Sequence, residues 1–191
     1  DTDKYDVYFY TTLGIASGSY ITRNLLNCDD VVIADVVLHE DMHDNTNLPR
    51  QIDEASALII GVAGASRFMK SDDMDFICLL EYLVAEAEKI NSLHKNITEA
   101  NRLYKSGKIS FSSYLATREY KLRVTGQESM ASVAQHHTYM RYVPILMRLL
   151  RAFNYDLKRF VKFMKEFPYK EPSWDQEHLA YFEETLRIEV L

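Results

Sequence analysis

The sequence predicts a mainly α-helical domain with a small β element near its N-terminal end. Only one stretch, Asp6 to Thr11 (DVYFYT), has the aromatic and β-branched character of a strand. From Asp30 onward, apolar residues recur at helical spacing behind residues that cap helices. The breaks between those stretches fall at Gly107, Gly126, Pro168 and Pro172, residues that end helices rather than continue them.

In chain order, Gly14, Ser17 and Gly18 mark turns after the strand. A helix is expected from Asp30 to Asp44, capped by Asn27 or Asp29, and its VVIADVVL stretch is apolar nearly all round, which implies burial on several sides. Asn47 with Leu48 and Pro49 reads as the cap and first turn of a second helix. That helix carries Ala57, Gly61, Gly64 and Ala65 on one stripe, small enough for a neighbouring helix to approach closely. Ser71 with Asp72 and Asp73 starts a third helix, its acids near the positive end. It runs to about His94, or on to Ser106 with Gly107 as its stop. Further helices are expected at Ser110 to Val124, Tyr139 to Phe153 and Asp156 to Phe167, with a last amphipathic segment from Asp175 to Ile188. Phe160, Phe163 and Phe167 form a core-facing stripe, with Lys158, Arg159, Lys162 and Lys165 on its solvated side.

The 191 residues suit one compact domain, 1–191, or a main domain with a small appendage. The chain opens on Asp1 rather than Met, so it reads as a trimmed or processed product or a fragment, with 1–191 either a whole domain or the C-terminal part of a longer chain. Hydrophobic residues make up 47% and charged residues 26%, enough apolar material to bury a core. The net charge is -6 and no run of basic residues exists, which disfavours nucleic acid as a partner. No apolar stretch is long enough to span a bilayer, and no signal-peptide pattern is present. Two cysteines, Cys28 and Cys78, are too few for a disulfide framework or a thiolate zinc cluster; they can pair once, but two free core thiols are the preferred reading.

The chemistry concentrates at His39-Glu40-Asp41-Met42-His43, an HExxH motif on a helix expected on other grounds. Residues four apart lie one turn apart on one face, so both imidazoles can reach one metal ion. Glu40 is offset by one residue and can hold the attacking water as general base. By chance such a motif arises in on the order of one comparable chain in a hundred. A catalytic zinc takes three protein ligands and keeps one position open. The longer histidine motif of metzincins would need Gly where Thr46 stands and His where Pro49 stands, so the third ligand is expected from the next helix. Asp53 and Glu54 both offer a carboxylate. Glu54 shares its stripe with apolar Ala57, Leu58, Gly61, Ala65 and Phe68, where an unpaired charge would be costly unless a cation meets it. Asp53 shares its stripe with Ser56, Ile60 and Arg67 and can be satisfied near the surface. Glu54 is therefore the expected ligand. Asp35, one turn before His39, either holds an imidazole N–H behind the metal or is bonded elsewhere.

With these residues in place, the chain resembles the bacterial family of putative zinc aminopeptidases with an HExxH…E site, from about Tyr5 to Phe167. The resemblance rests on DVYFYTTLG (Asp6 to Gly14), VVLHEDMH (Val36 to His43) and DEASA (Asp53 to Ala57). It continues in LYKSGKIS (Leu103 to Ser110), SVAQHHTYMRYVP (Ser132 to Pro144) and DLKRF (Asp156 to Phe160). It implies a zincin-like, gluzincin-type domain, with zinc held by His39, His43 and Glu54 and with Glu40 as base. It points to Thr138 and Tyr139 as part of the site, to peptide substrates with a free amino end, and to the periplasm or cell envelope. The chain departs from the family at Asp41, where a small or apolar residue is usual, and in a shorter loop from His43 to Glu54. Gln127, Glu128 and Ser129 replace an asparagine-rich stretch.

Peptide hydrolysis needs a donor aimed at the oxyanion of the tetrahedral intermediate. Tyr139 is the first candidate, with His136 and His137 behind it. His94 and His178 are expected at the surface. Asn96-Ile97-Thr98 matches a glycosylation sequon, a weak signal alone. The leading expectation is a zinc metallopeptidase. The alternative is a zinc-binding helical module with little turnover and a regulatory or interaction role.

Overall fold

The computed structural model describes residues 14–15, 20–69, 73–167 and 175–190. The predicted strand at Asp6 to Thr11, the turn at Ser17 and Gly18, the cap at Ser71 and Asp72, and the breaks at Pro168 and Pro172 lie outside the described residues. What is described is mainly helical. The sole β pairing among the described residues is short: β1 (Gly14–Ile15) runs antiparallel to β2 (Tyr20–Ile21), with Gly14 opposite Ile21.

Among the described residues a 3-10 turn (Leu25–Asn27) and eight α-helices follow: α1 (Asp30–Asn45), α2 (Arg50–Phe68), α3 (Asp73–Lys105), α4 (Phe111–Thr125), α5 (Met130–Met140), α6 (Val143–Ala152), α7 (Leu157–Lys165) and α8 (Asp175–Val190). Helix α2 runs through the centre, packed against α1, α3, α5, α6 and α7. Ile52, Ala55, Ile59 and Ala63 of α2 are fully buried with Leu146, Leu149 and Leu150 of α6, Phe160 of α7 and Phe182 of α8. A second, smaller cluster of Leu93, Ile97, Leu122 and Val133 joins the far half of α3 to α4 and α5.

The small-residue stripe on α2 does what its composition suggests. Gly61 lies against Asp35 of α1, so close that an added Cβ would stand 2.9 Å from the Asp35 carbonyl oxygen, and Gly64 lies against Leu38. This seam sets how near α1 comes to α2, and with it the spacing of side chains across the pair. The expected burial of the VVIADVVL stretch of α1 on several sides is not met. None of its residues is buried, Val31 is 43% and Val37 48% exposed, and Val37 borders an apolar groove with Ile33, Leu38 and Phe68. Phe68, placed by its spacing on the apolar stripe, is 70% exposed because α2 ends there.

Helix ends follow local chemistry in most cases. Ser110 caps α4 by accepting the Ser113 N–H, and Gly126 closes it in the left-handed region at φ 72°. Gly107, at φ 73°, follows α3, with the Lys108 N–H reaching back to the Leu103 carbonyl. The second helix begins at Arg50 rather than at Asn47, with Pro49 in the cap position. The largest correction concerns Tyr139 to Phe153, expected as one helix. The chain instead forms α5 from Met130, capped by Ser129, turns at Arg141 and Tyr142, and restarts as α6 with Pro144 in its first turn. Proline has no N–H to give, and it fits a first turn where none is needed. Tyr139 is thereby moved from the start of a helix to the end of one.

Neither cysteine is in the core. Cys28 is half-buried, Cys78 is exposed, and both are free.

Candidate metal centre

His39 and His43 project from successive turns of α1, and Glu54 meets them from the second turn of α2. His39 Nε2 and His43 Nε2 are 3.2 Å apart, and Glu54 Oε2 lies 3.6 Å from the first and 3.5 Å from the second. Four ligands held tetrahedrally at about 2.1 Å from zinc stand roughly 3.4 Å from one another. The three donor atoms therefore already lie at close to tetrahedral spacing, and they form a group able to hold a metal ion. Their side chains are 13–16% exposed.

A carboxylate fixes one of the imidazoles from behind. Asp53 Oδ2 lies 2.6 Å from His43 Nδ1, and the Thr46 hydroxyl donates to Asp53 Oδ1 at 2.7 Å. With the proton held on Nδ1, the lone pair of Nε2 faces His39 and Glu54, as a metal ligand must. The stripe expected to satisfy Asp53 near the surface is mixed: Ser56 is fully buried and Ile60 nearly so, Arg67 is exposed, and the Asp53 side chain, 20% exposed, is satisfied by His43 and Thr46. A signal was present: a histidine ligand needs an acceptor behind it, and the adjacent pair Asp53-Glu54 supplies one carboxylate for the ion and one for the imidazole.

The charges agree with this arrangement. In the metal-free protein, hydrogen bonds to Asp53 and then to Glu54 push the His43 imidazole up to about 10, against the effect of burial. Burial would raise the Glu54 carboxyl, but its bonds to His39 and His43 outweigh that and bring it down to about 2. A cation entering between these groups would replace a proton that the site already attracts.

Asp35 does not stand behind an imidazole through its buried oxygen. Asp35 Oδ1 is buried without a hydrogen-bond partner, and burial raises the carboxyl while the charge of His39 lowers it. Glu40 is half-buried on α1, one residue beyond His39. Of the distant candidates, the structure brings Tyr139 to the motif: its ring centroid is 6.2 Å from that of His39. Thr138 bonds back to the Ala134 carbonyl of its own helix. His136 Nδ1 is 3.0 Å from Gln127 Oε1. His137 stacks on His94 with centroids 3.8 Å apart, so His94 is half-buried against α5 rather than a surface residue, and burial followed by the charge of Arg141 lowers its imidazole. The side chain of His178 lies outside the described set.

No family model matches the chain, and no curated protein or solved structure is significantly similar to it. No described helix is long and apolar enough to cross a membrane.

Proposed function

We propose that the chain is a zinc-dependent peptidase, with His39, His43 and Glu54 as ligands and Glu40 as general base. The observation that carries this reading is the convergence of three donor atoms within 3.2–3.6 Å of one another, from two helices, with Glu40 next to His39 in the sequence of α1. Zinc bound there would polarise the scissile carbonyl and acidify a water. Glu40 takes a proton from that water as its oxygen bonds to the carbonyl carbon, and then returns a proton to the amine as the C–N bond breaks. Asp53 keeps the His43 proton on Nδ1. Tyr139 donates a hydrogen bond to the oxyanion, a role for which His136 and His137 are the reserves. The resemblance to zinc aminopeptidases supports a peptide substrate with a free amino end, a zincin-like fold with the N-terminal strand along the site, and a place in the periplasm or cell envelope.

The test joins metal analysis to one substitution. The protein is expected to bind one zinc per chain and to hydrolyse peptides in a chelator-sensitive way. Glu40→Gln should lower turnover by roughly a thousandfold or more while zinc stays bound. Zinc without any turnover would favour the second reading, a metal-binding helical module. No bound metal would remove both.

A further inference from the structure

Two arginines reach the first turn of α2, one paired with Glu54 and the other bonded to Gln51. Arg50 stands one turn before Glu54 on α2. Its Nε lies 3.9 Å from Glu54 Oε1, and its side chain is 80% exposed where that of Glu54 is 14% exposed. The guanidinium thus reaches from solvent to the rim of the site along the first turn of α2. Arg141 arrives from another direction, two residues beyond Tyr139 at the end of α5, and its Nη1 donates to Gln51 Oε1 at 3.0 Å. Gln51 precedes Glu54 by three residues and so shares its side of α2. The backbone of Arg141 is fixed at both ends: its N–H bonds to the His137 carbonyl, and its carbonyl accepts from Asn91 Nδ2 at 3.2 Å.

In the metal-free protein Arg50 faces the full charge of Glu54. A divalent cation held by His39, His43 and Glu54 would offset that charge, and Arg50 would then stand near a cation rather than an unshared carboxylate. The positive end of α2 opens at the same place. We infer that Arg50, with Arg141 held on the neighbouring Gln51, binds a carboxylate of the substrate next to the metal centre, so that preferred peptides carry an acidic group close to the scissile bond. The inference rests on the peptidase reading above. Because Arg50 adjoins Glu54, a carboxylate held there would belong to a residue within roughly two positions of the scissile bond. That carboxylate is either a side chain or the chain terminus.

Binding separates these cases without relying on turnover. In the zinc-loaded Glu40→Gln protein, three peptides are titrated by calorimetry at low salt: tetra-alanine with a free carboxylate, its amide, and the amide with Glu at the third position. At least one acidic peptide is expected to bind about tenfold more tightly than the plain amide. Preference for the first assigns the chain terminus, and preference for the third assigns the side chain. Arg50→Gln should abolish the difference, Arg50→Lys should keep part of it, and Arg141→Gln should reduce it, all with plain-amide binding unchanged. Equal binding of all three peptides, or an Arg50→Gln loss shared by all three, overturns the inference alone. Failure of every peptide to bind overturns it together with the peptidase reading.

Discussion

Helices α1 and α2 meet through glycine, with polar groups turned on one another. Helices α3 and α4 meet through large side chains, with charges turned to water. In the first pair Gly61 and Gly64 bring the backbones together, and His39, His43, Asp53 and Glu54 bond across the gap. In the second, Leu93, Ile97 and Leu122 fill the interface, Tyr104, Phe111 and Tyr114 cluster at the tip, and Glu99 pairs with Arg102 in solvent. The α3–α4 arm could lose any one polar contact and remain the same structure. The α1–α2 pair could not, because burying its four polar side chains is acceptable only while each faces the others or a cation.

Substitutions can sharpen that contrast. Among these substitutions the largest effect is expected at Tyr139, which α5 lends to the first pair. Tyr139→Phe should lower turnover about a hundredfold while zinc remains bound, measured by steady-state kinetics beside metal analysis. Tyr104→Phe at the arm tip should leave turnover unchanged.

Next comes Asp53. Asp53→Ala should weaken zinc binding about 10–100-fold in a chelator competition, since His43 loses the acceptor behind it. The same group sets the pH response. The folded pKa of His43 is raised from 6.5 to about 10, so its contribution to metal-free stability is complete below pH 6.5 and is lost as pH climbs through about 10. The folded pKa of Glu54 is lowered from 4.5 to about 2, so its contribution is complete above pH 4.5 and is lost as pH falls toward 2. Both contributions are whole only between about pH 4.5 and 6.5. Zinc must displace the His43 proton, so its affinity should rise with pH across the neutral range. Calorimetry in buffers of different ionisation enthalpy should show proton release at pH 7, and less of it in Asp53→Ala.

A smaller and purely structural effect is expected at the seam. At Gly61 an added Cβ would meet the backbone oxygen of Asp35, which cannot swing aside as a side-chain end can. Gly61→Ala should cost about 1–3 kcal/mol in chemical denaturation and weaken zinc binding as well. Gly107→Ala, at φ 73° with open space around it, should cost about 1–2 kcal/mol from backbone conformation alone, with zinc binding untouched.

Much of the α1–α2 pair was legible in the sequence because its information is periodic and local. The i, i+4 histidines share a face by helix geometry, and Glu54 stood out as an acid on an apolar stripe. The role of Asp53 was not legible, since a helical stripe says which residues share a side and not what that side meets. Helix α2 is covered on so many sides that much of its polar stripe too lies inward. Helix α5 escaped for another reason: MASVAQHHTYM has little apolar rhythm, and its helix is set by the Ser129 cap and by packing on α2 and α3. Contacts such as Arg141 with Gln51 join positions 90 apart and leave no trace in local pattern.

The closeness of the ligands in sequence has a thermodynamic consequence. His43 and Glu54 are separated by a connection of only about ten residues, so a bridging ion closes a short loop and removes little freedom from the unfolded chain. Its affinity must come instead from donors that packing has already set in place. A small zinc finger collapses when stripped of its ion. Here a chelator should take the metal and leave the helices standing, so that loading becomes a readily reversible event on a finished fold rather than a step in making it.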